Sequence, residues 1–384
     1  MPNANPSFNI GLNTQQIQYF QLKAWKALRT RSLADQLAAN DGSAAIQRIT
    51  DLTKTTWGYE AVMTLVPDDT TYGVVGDNQL EDHEVGITSH QLSITFDQFR
   101  KAFKNEGRMA DRSSWVNFAQ NANDQLSYWA VDVKNKLLMN VLSGVDFGTE
   151  LDGSERDSQF TQLRFASQVT APSTNRHFRW DVDTANSLKA GDTTAVVSTD
   201  IPTWNMFVDM RTELPMMRVK PIRGKWGNGQ DLYICLVHPR TLGALKKDST
   251  FQQNWREAMA RGNNHILFNG AEAYMVDGIL LISHRYVFNT LGATATNKWG
   301  SDGNVDGTRT LFLGAQAVGM VEMDAPIWEP DTGDYKNRQS ISMAIKFGFR
   351  KATWPDQYAG NSEEDFGVVA VDHAIPAGVT SYTL

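Results

Sequence analysis

At 384 residues and 42.9 kDa the chain is long enough for two or three packed units, and 41% apolar residues is an ordinary share for a globular core. A formal charge of −7 and a pI near 5.5 provide no basic field, which argues against a dedicated nucleic-acid reader and against attraction to anionic membranes. One cysteine, Cys235 in the apolar run LYICLV, leaves no intrachain disulfide and no cysteine metal cluster, and its surroundings predict a core residue rather than a nucleophile.

The opening MPNANPSFNIGLN has neither the basic nor the apolar region of a secretory signal, and no apolar stretch approaches the roughly 20 residues of a membrane span. The expectation is a soluble protein made in a reducing compartment. Residues 14 to 39 follow a cap at Asn13 or Thr14 and place Ile17, Phe20, Ala24 and Leu28 at helical spacing, which predicts one amphipathic helix. Across residues 1 to 50, Lys23, Lys26, Arg29, Arg31 and Arg48 face only Asp35 and Asp41, so this arm is mildly basic. A solvated helix face explains that charge, with polyanion contact as the alternative.

The period then changes. YEAVMTLV (59 to 66) reads as a strand, and SHQLSITFD (89 to 97) alternates, with His90, Leu92, Ile94 and Phe96 on one face. About 20 polar residues rich in Asp, Gly, Asn and Thr separate the two, too many for a tight turn. A lone two-stranded hairpin is marginal in water, so this arm should lean on something outside itself. From Ser114 to Ser143 apolar side chains (Trp115, Phe118, Ala122, Leu126, Trp129, Val133, Leu137 and Val141) recur every three or four positions, with Gly144 as the stop. This predicts a helix of up to 30 residues, about 45 Å long. Residues 145 to 202 read as loops and short strands. Beyond them a helix over 203 to 214 ending before Pro215, a buried strand from Leu232 to Val237 and a helix after Pro239 predict a second, compact α/β unit to about residue 325. RTLFLGAQAVGMVEM and QSISMAIKFGFRKATW then form a strand pair that returns to the first unit.

No stretch carries a complete chemical motif. LEDHEVGITSH places His83 and Glu84 beside each other, but Ile87 stands where a zinc helix needs its second histidine, and His90 lies too far on. DGNVDG (302 to 307) matches the first half of a calcium loop, with Asp302, Asn304, Asp306 and Gly307, but position twelve is Leu313 instead of a bidentate Glu. GKWGNG (224 to 229) has the glycines of a phosphate loop without a following helix, and neither a P-loop nor a nucleophile elbow occurs. His177, His238, His265, His284 and His373 stand singly, as structural histidines do. No catalytic residue, metal ligand or cofactor site is assigned.

The order of arm, polar-tipped hairpin, domain-length helix, α/β unit and returning strands resembles the major capsid proteins of tailed bacteriophages, the α+β Johnson fold, and most closely the branch of podoviruses related to coliphage N-four. The stretches that carry the likeness are GDNQLEDHEVGITSHQLSITFDQFRKAF with GRMADR (76 to 112), LVHPRTLGALKKD (236 to 248), GILLISHRYV (278 to 287) and LFLGAQAVG (311 to 319), and it spans most of residues 55 to 355. The resemblance implies an N-terminal arm (1–54), an extended hairpin loop (55–105), a peripheral domain (106–202) with its spine helix at 114–143, an axial domain (203–325), and returning strands with a C-terminal extension (326–384). It further implies an icosahedral shell around double-stranded DNA, with copies of the chain as pentamers and hexamers and with portal, scaffolding and decoration proteins as partners. The protein would sit in the virion capsid after assembly in the host cytoplasm. Leu80, Glu81, Asp82, His83 and Glu84 would form a hairpin tip that meets another subunit, and Lys23, Lys26, Arg29 and Arg31 an interior basic arm in non-specific contact with packaged DNA. There is no long charged N-terminal segment of the scaffold type. A cellular compartment shell of the same fold and a metal-dependent enzyme on the acidic hairpin or DGNVDG are the alternatives.

Overall fold

A computed structural model describes residues 14–49, 60–66, 72–84, 86, 89–107, 109, 118–183, 186–223, 231–258, 273–323, 325–335, 337–356 and 362–376. The first helix, α1 (Thr14–Arg31), buries Ala24 and Leu28 one turn apart and stacks Phe20 on Trp328 with ring centroids 5.1 Å apart. It does not continue to residue 39. Ser32 takes an extended conformation, and Asn135 Oδ1, reached through the fold, accepts hydrogen bonds from Leu33 N–H (3.0 Å) and Ser32 Oγ–H (3.2 Å). A short second helix, α2 (Leu33–Gln36), follows at a new angle and leads to β1 (Ala38–Ala39) and β2 (Ile46–Ile49). Asp35 then ties this arm down. It meets Arg48 at 2.5 Å and Lys134 at 2.8 Å, and Lys134 also reaches Glu322 at 3.3 Å, with Asp35 and Lys134 buried.

The predicted hairpin forms from β3 (Glu60–Leu65) and β4 (His90–Thr95), antiparallel with Glu60 opposite Thr95 and Leu65 opposite His90. The next strand, β5 (Asp97–Lys104), begins after Phe96. The long helix, α3, is described over Phe118–Ser143, about 39 Å at 1.5 Å per residue; residues 114–117, Trp115 among them, lie outside the described residues. From Leu137 to Ser143 every side chain is buried, so this end runs through the core instead of along it. Gly144 stops it as expected. Its φ of +65° permits a Schellman closure, with Gly144 N–H on Val141 O and Val145 N–H on Asn140 O.

Residues 145–202 contain short 3-10 turns and the strands β6 (His177–Asp181) and β7 (Ser187–Ala190). Next come α4 (Trp204–Met216), β8 (Tyr233–Val237), α5 (Pro239–Leu245), α6 (Ser249–Ala258), β9 (Ala273–Val276) and β10 (Ile279–Ser283). The helix α4 runs through Pro215 rather than ending before it. Pro215 is in the exposed last turn, where one missing N–H costs little, and Met217 and Val219 N–H groups close the end onto Glu213 and Leu214 carbonyls. The chain finishes with β11 (Gly307–Leu313), β12 (Val318–Glu322), β13 (Ile327–Gly333), β14 (Arg338–Lys351), β15 (Thr353–Asp356), β16 (Ser362–Asp365) and β17 (Val368–Ala374).

Two large sheets organise most of these strands, and β3-β4 and β15-β16 pair separately. The larger has the order β7-β6-β17-β11-β8-β10-β9 and draws strands from 177–190 and 368–374 as well as from 233–313, so its membership extends beyond residues 203–325 on both sides. Both faces are covered, which is why YICLV and VVAV are continuously apolar. Tyr233, Cys235 and Val237 face α4, α5 and α6, whereas Ile234 and Leu236 join the core around α3. The second sheet runs β1-β2-β12-β14-β13, with β5 also on β14, and α1 and α3 pack on one face of it. RTLFLGAQAVGMVEM is therefore two strands, of which β12 pairs with β14 as expected and β11 pairs with β17 and β8 instead. It crosses from one sheet (β11) to the other (β12) at Gly314–Ala317, where a Cβ on Gly314 would stand 2.4 Å from Lys220 O.

Candidate assembly surface: the hairpin and its base

Alternation along β3 and β4 decides what the hairpin buries. Ala61, Met63, Leu65, Leu92, Ile94 and Phe96 turn inward and pack on Ile49, Val321, Ala352, Trp354 and Phe366 of the same chain. The hairpin base thus leans on its own molecule. Close approach requires glycine beneath it: a Cβ on Gly319 would fall 2.2 Å from Ile94 Cδ1, and one on Gly348 would fall 2.0 Å from Thr95 O. The outer edge of β4 is also occupied. Gln168 Oε1 accepts from Thr95 N–H (3.2 Å), and Arg350 Nη1 donates to Ser93 O (2.6 Å). Partial burial lowers the Arg350 pKa below its usual value.

Beyond the base the loop leaves the core. Every described residue from 72 to 84 is exposed except the half-buried Val74. The segment holds its shape by turns of its own: Gly73, Gly76 and Asp82 have positive φ, His83 N–H donates to Leu80 O (3.0 Å), and Asp82 N–H to Glu84 Oε2 (3.0 Å). Leu80, Glu81, Asp82, His83 and Glu84 therefore sit together at an exposed tip, and His83 and Glu84 are on a loop, not on a zinc helix. Tyr72, Val75 and Leu80 project with 101%, 75% and 59% of their surface in solvent. Among the described residues, five of the fourteen large apolar side chains left exposed lie between Val62 and Leu80. Such a concentration of large apolar side chains exposed in one arm is unusual for a surface that meets only water.

The basic arm is less free than its composition implies. Lys23 pairs with Asp124 at 3.2 Å and the Arg31 guanidinium lies 4.6 Å over the Tyr128 ring, while Lys26 is exposed; the Arg29 side chain lies outside the described residues.

Other polar clusters serve the core. Arg309 grips Asp372 through Nε (2.7 Å) and Nη2 (2.9 Å), donates Nη1 to Ser143 O at the end of α3 (2.6 Å), and leaves His177 Nε2 at 2.6 Å from Asp372. Burial alone would raise the Asp372 carboxyl, but Arg309 and His177 outweigh it and hold the group below the usual range. Sequence reading missed this cluster, since its members lie on four elements; the signal was an Arg and an Asp in the buried strands β11 and β17. Lys351 and Asp365 pair at 2.9 Å, with burial lowering the lysine and raising the acid. Cys235 is fully buried and its thiol pKa is raised by burial, as a core residue requires. In DGNVDG, Asp306 is taken by Lys298 at 2.5 Å, and among the described residues no three His, Cys, Asp or Glu side chains converge as a metal would need. GKWGNG lies outside the described residues. No described helix is long and apolar enough to cross a membrane.

Comparison with known proteins gives a consistent answer. The family model described as phage capsid protein matches residues 9–377. The major capsid protein of Pseudomonas phage KPP25 is 36% identical over 361 residues, covering 94% of this chain and 95% of that one. The fold is similar to the capsid of Ralstonia phage GP4, with a TM-score of 0.72 at 20% identity over 90% of this chain and 91% of that one. It is also similar to the capsid asymmetric unit of cyanophage Pam1, at 0.67 and 16% over 91% and 93%. With a shell subunit's fold, an exposed arm on a self-supported base and this match over nearly its whole length, the chain belongs to the phage capsid protein family: a structural protein of the virion capsid with the Johnson fold, not an enzyme, which builds its shell from copies of itself.

Proposed function

We propose that the shell is icosahedral, encloses the double-stranded DNA of a tailed phage, and is held together in part by the hairpin loop of each copy lying across its neighbour. The observation that carries this reading is the exposed loop with Tyr72, Val75 and Leu80 at its surface. Burying such side chains fully stabilises a contact by about 1.5–3 kcal/mol each, and repetition around every subunit offsets the entropy of association. The tip residues Leu80, Glu81, Asp82, His83 and Glu84 are the subunit-interface set, the charges adding specificity and assembly rate more than affinity.

The division into arm (1–54), extended loop (55–105), peripheral domain (106–202), axial domain (203–325) and returning strands (326–384) rests on the same reading, as do pentamers and hexamers of the chain. Portal, scaffolding and decoration proteins are further partners, with assembly in the host cytoplasm. Lys26 is the arm cation with room to meet packaged DNA. Electron cryomicroscopy of particles formed by the full chain tests this. The expected image is a closed shell with density for residues 72–84 on an adjacent subunit; a strictly monomeric solute under all conditions overturns it. Packaged DNA, as opposed to co-purifying enzymes, separates a virion from a cellular compartment.

A further inference from the structure

The loop between β3 and β4, residues 66–89, contains six carboxylates (Asp68, Asp69, Asp77, Glu81, Asp82 and Glu84) and no Lys or Arg. A block of one sign on an exposed arm needs an oppositely charged receptor to be held in register. The chain carries a suitable surface. The side chains of five exposed cations make no ion pair, hydrogen bond or ring contact with a described residue: Lys26, Arg100, Lys104, Lys189 and Lys247. Only Arg100 and Lys104 share one element, where their even spacing in β5 puts them on the same face.

That face is built to receive a chain. Helices α1 and α3 cover the opposite side of the sheet, where Phe99 and the odd-numbered residues of β14 are buried. On the open side Arg100 lies opposite Ala344, Ala102 opposite Ser342 and Lys104 opposite Ser340, so the two cations rise over a floor of small side chains. Beyond that floor β13 presents Glu329 and Asp331, opposite Ser342 and Ser340. Basic and acidic columns thus flank the floor about 10 Å apart, two strand spacings. An acidic segment is attracted to the β5 side and repelled from the β13 side, which fixes where it lies. Among the described strands β5 pairs with β14 alone, and the Lys104 end gives onto a cavity of about 430 Å³ lined by Lys104, Asn105, Glu106 and Arg338.

We infer that the acidic hairpin tip of one copy docks on the β5 face of a second copy, Glu81 and Glu84 opposite Arg100 and Lys104. The inference rests on the reading of the hairpin as an inter-subunit arm and names its receptor. All four residues are exposed and none belongs to a hydrophobic cluster, so charge reversal leaves the subunit folded.

Assembly of the full chain followed by light scattering tests it. Reversing the tip (Glu81→Lys with Glu84→Lys) or the face (Arg100→Glu with Lys104→Glu) slows assembly by about tenfold or more, and the protein carrying all four substitutions returns to within about threefold of the unaltered rate. The unaltered rate also falls as salt rises. A face reversal that assembles at the normal rate overturns the proposal, as does a four-substitution protein no faster than the slower pair. Both outcomes leave the shell reading standing; that reading fails separately if the unaltered chain closes no particle.

Discussion

Gly348 lies where β14 passes under the hairpin, with Thr95 O only 2.0 Å from where a Cβ would be. Gly348→Ala forces strand and hairpin apart and costs about 1–3 kcal/mol, read as a lower denaturant midpoint with faster amide exchange in β4. Three histidines act through their protons. Burial, chiefly, lowers the pKa values of His238, His284 and His373 to about 4. Each is structurally neutral: His238 Nδ1 accepts from Arg240 N–H and His284 Nδ1 from Tyr286 N–H, while His373 sits between Thr310 Oγ1 and Ala374 O. Because the folded state binds fewer protons than the unfolded one between pH 4 and the ordinary histidine value near 6.5, this stability is complete above about 6.5 and is lost as pH falls towards 4. Asp365, with its raised carboxyl, titrates in the opposite sense and makes the slope shallower. The denaturant midpoint measured from pH 8 to 4 follows that course, and His238→Asn, which keeps a capping acceptor that cannot titrate, flattens part of it.

Whole elements are positioned by a few long-range polar contacts, and this is where sequence reading reached its limit. The alternation His90, Leu92, Ile94, Phe96 and the stop at Gly144 are local, so the hairpin and the end of the long helix were legible. The break at Ser32 was not, because Asn135, about 100 residues away, supplies the acceptor that ends α1. The tip was legible as an acidic exposed loop, but not the support of the hairpin base, which comes from Val321, Ala352 and Phe366, far along the chain. Arg309 and Asp372 likewise meet only after β11 and β17 pair. Lys134 and Asp35 fasten the arm to α3 inside the core, so Asp35→Ala leaves a buried ammonium without its main partner. The expected loss is about 3–5 kcal/mol by chemical denaturation, with Asp35→Leu plus Lys134→Met recovering most of it.

For the molecule as a whole, the exposed loop and the packed clusters that hold the fold are separate parts. Residues 72–84 touch none of the three hydrophobic clusters. Replacing them with a short Asn-Gly turn changes the unfolding free energy by about 0.5 kcal/mol or less, since the substitution is confined to surface. The same variant remains a dispersed subunit by analytical ultracentrifugation while the unaltered chain sediments as closed particles. If the shortened protein still closes shells, the arm is not what joins neighbours.

One consequence of the larger sheet concerns time rather than energy. Strand β17 sits between β6 and β11, yet it begins at Val368, about 190 residues after β6 ends at Asp181. At the usual pace of translation, β6 waits roughly 10–40 s on the ribosome with one flank bare before its neighbour is made. Subunit maturation is therefore a late event in synthesis, and a polypeptide truncated upstream of Val368 lacks the middle of its sheet and never becomes competent to join a growing lattice.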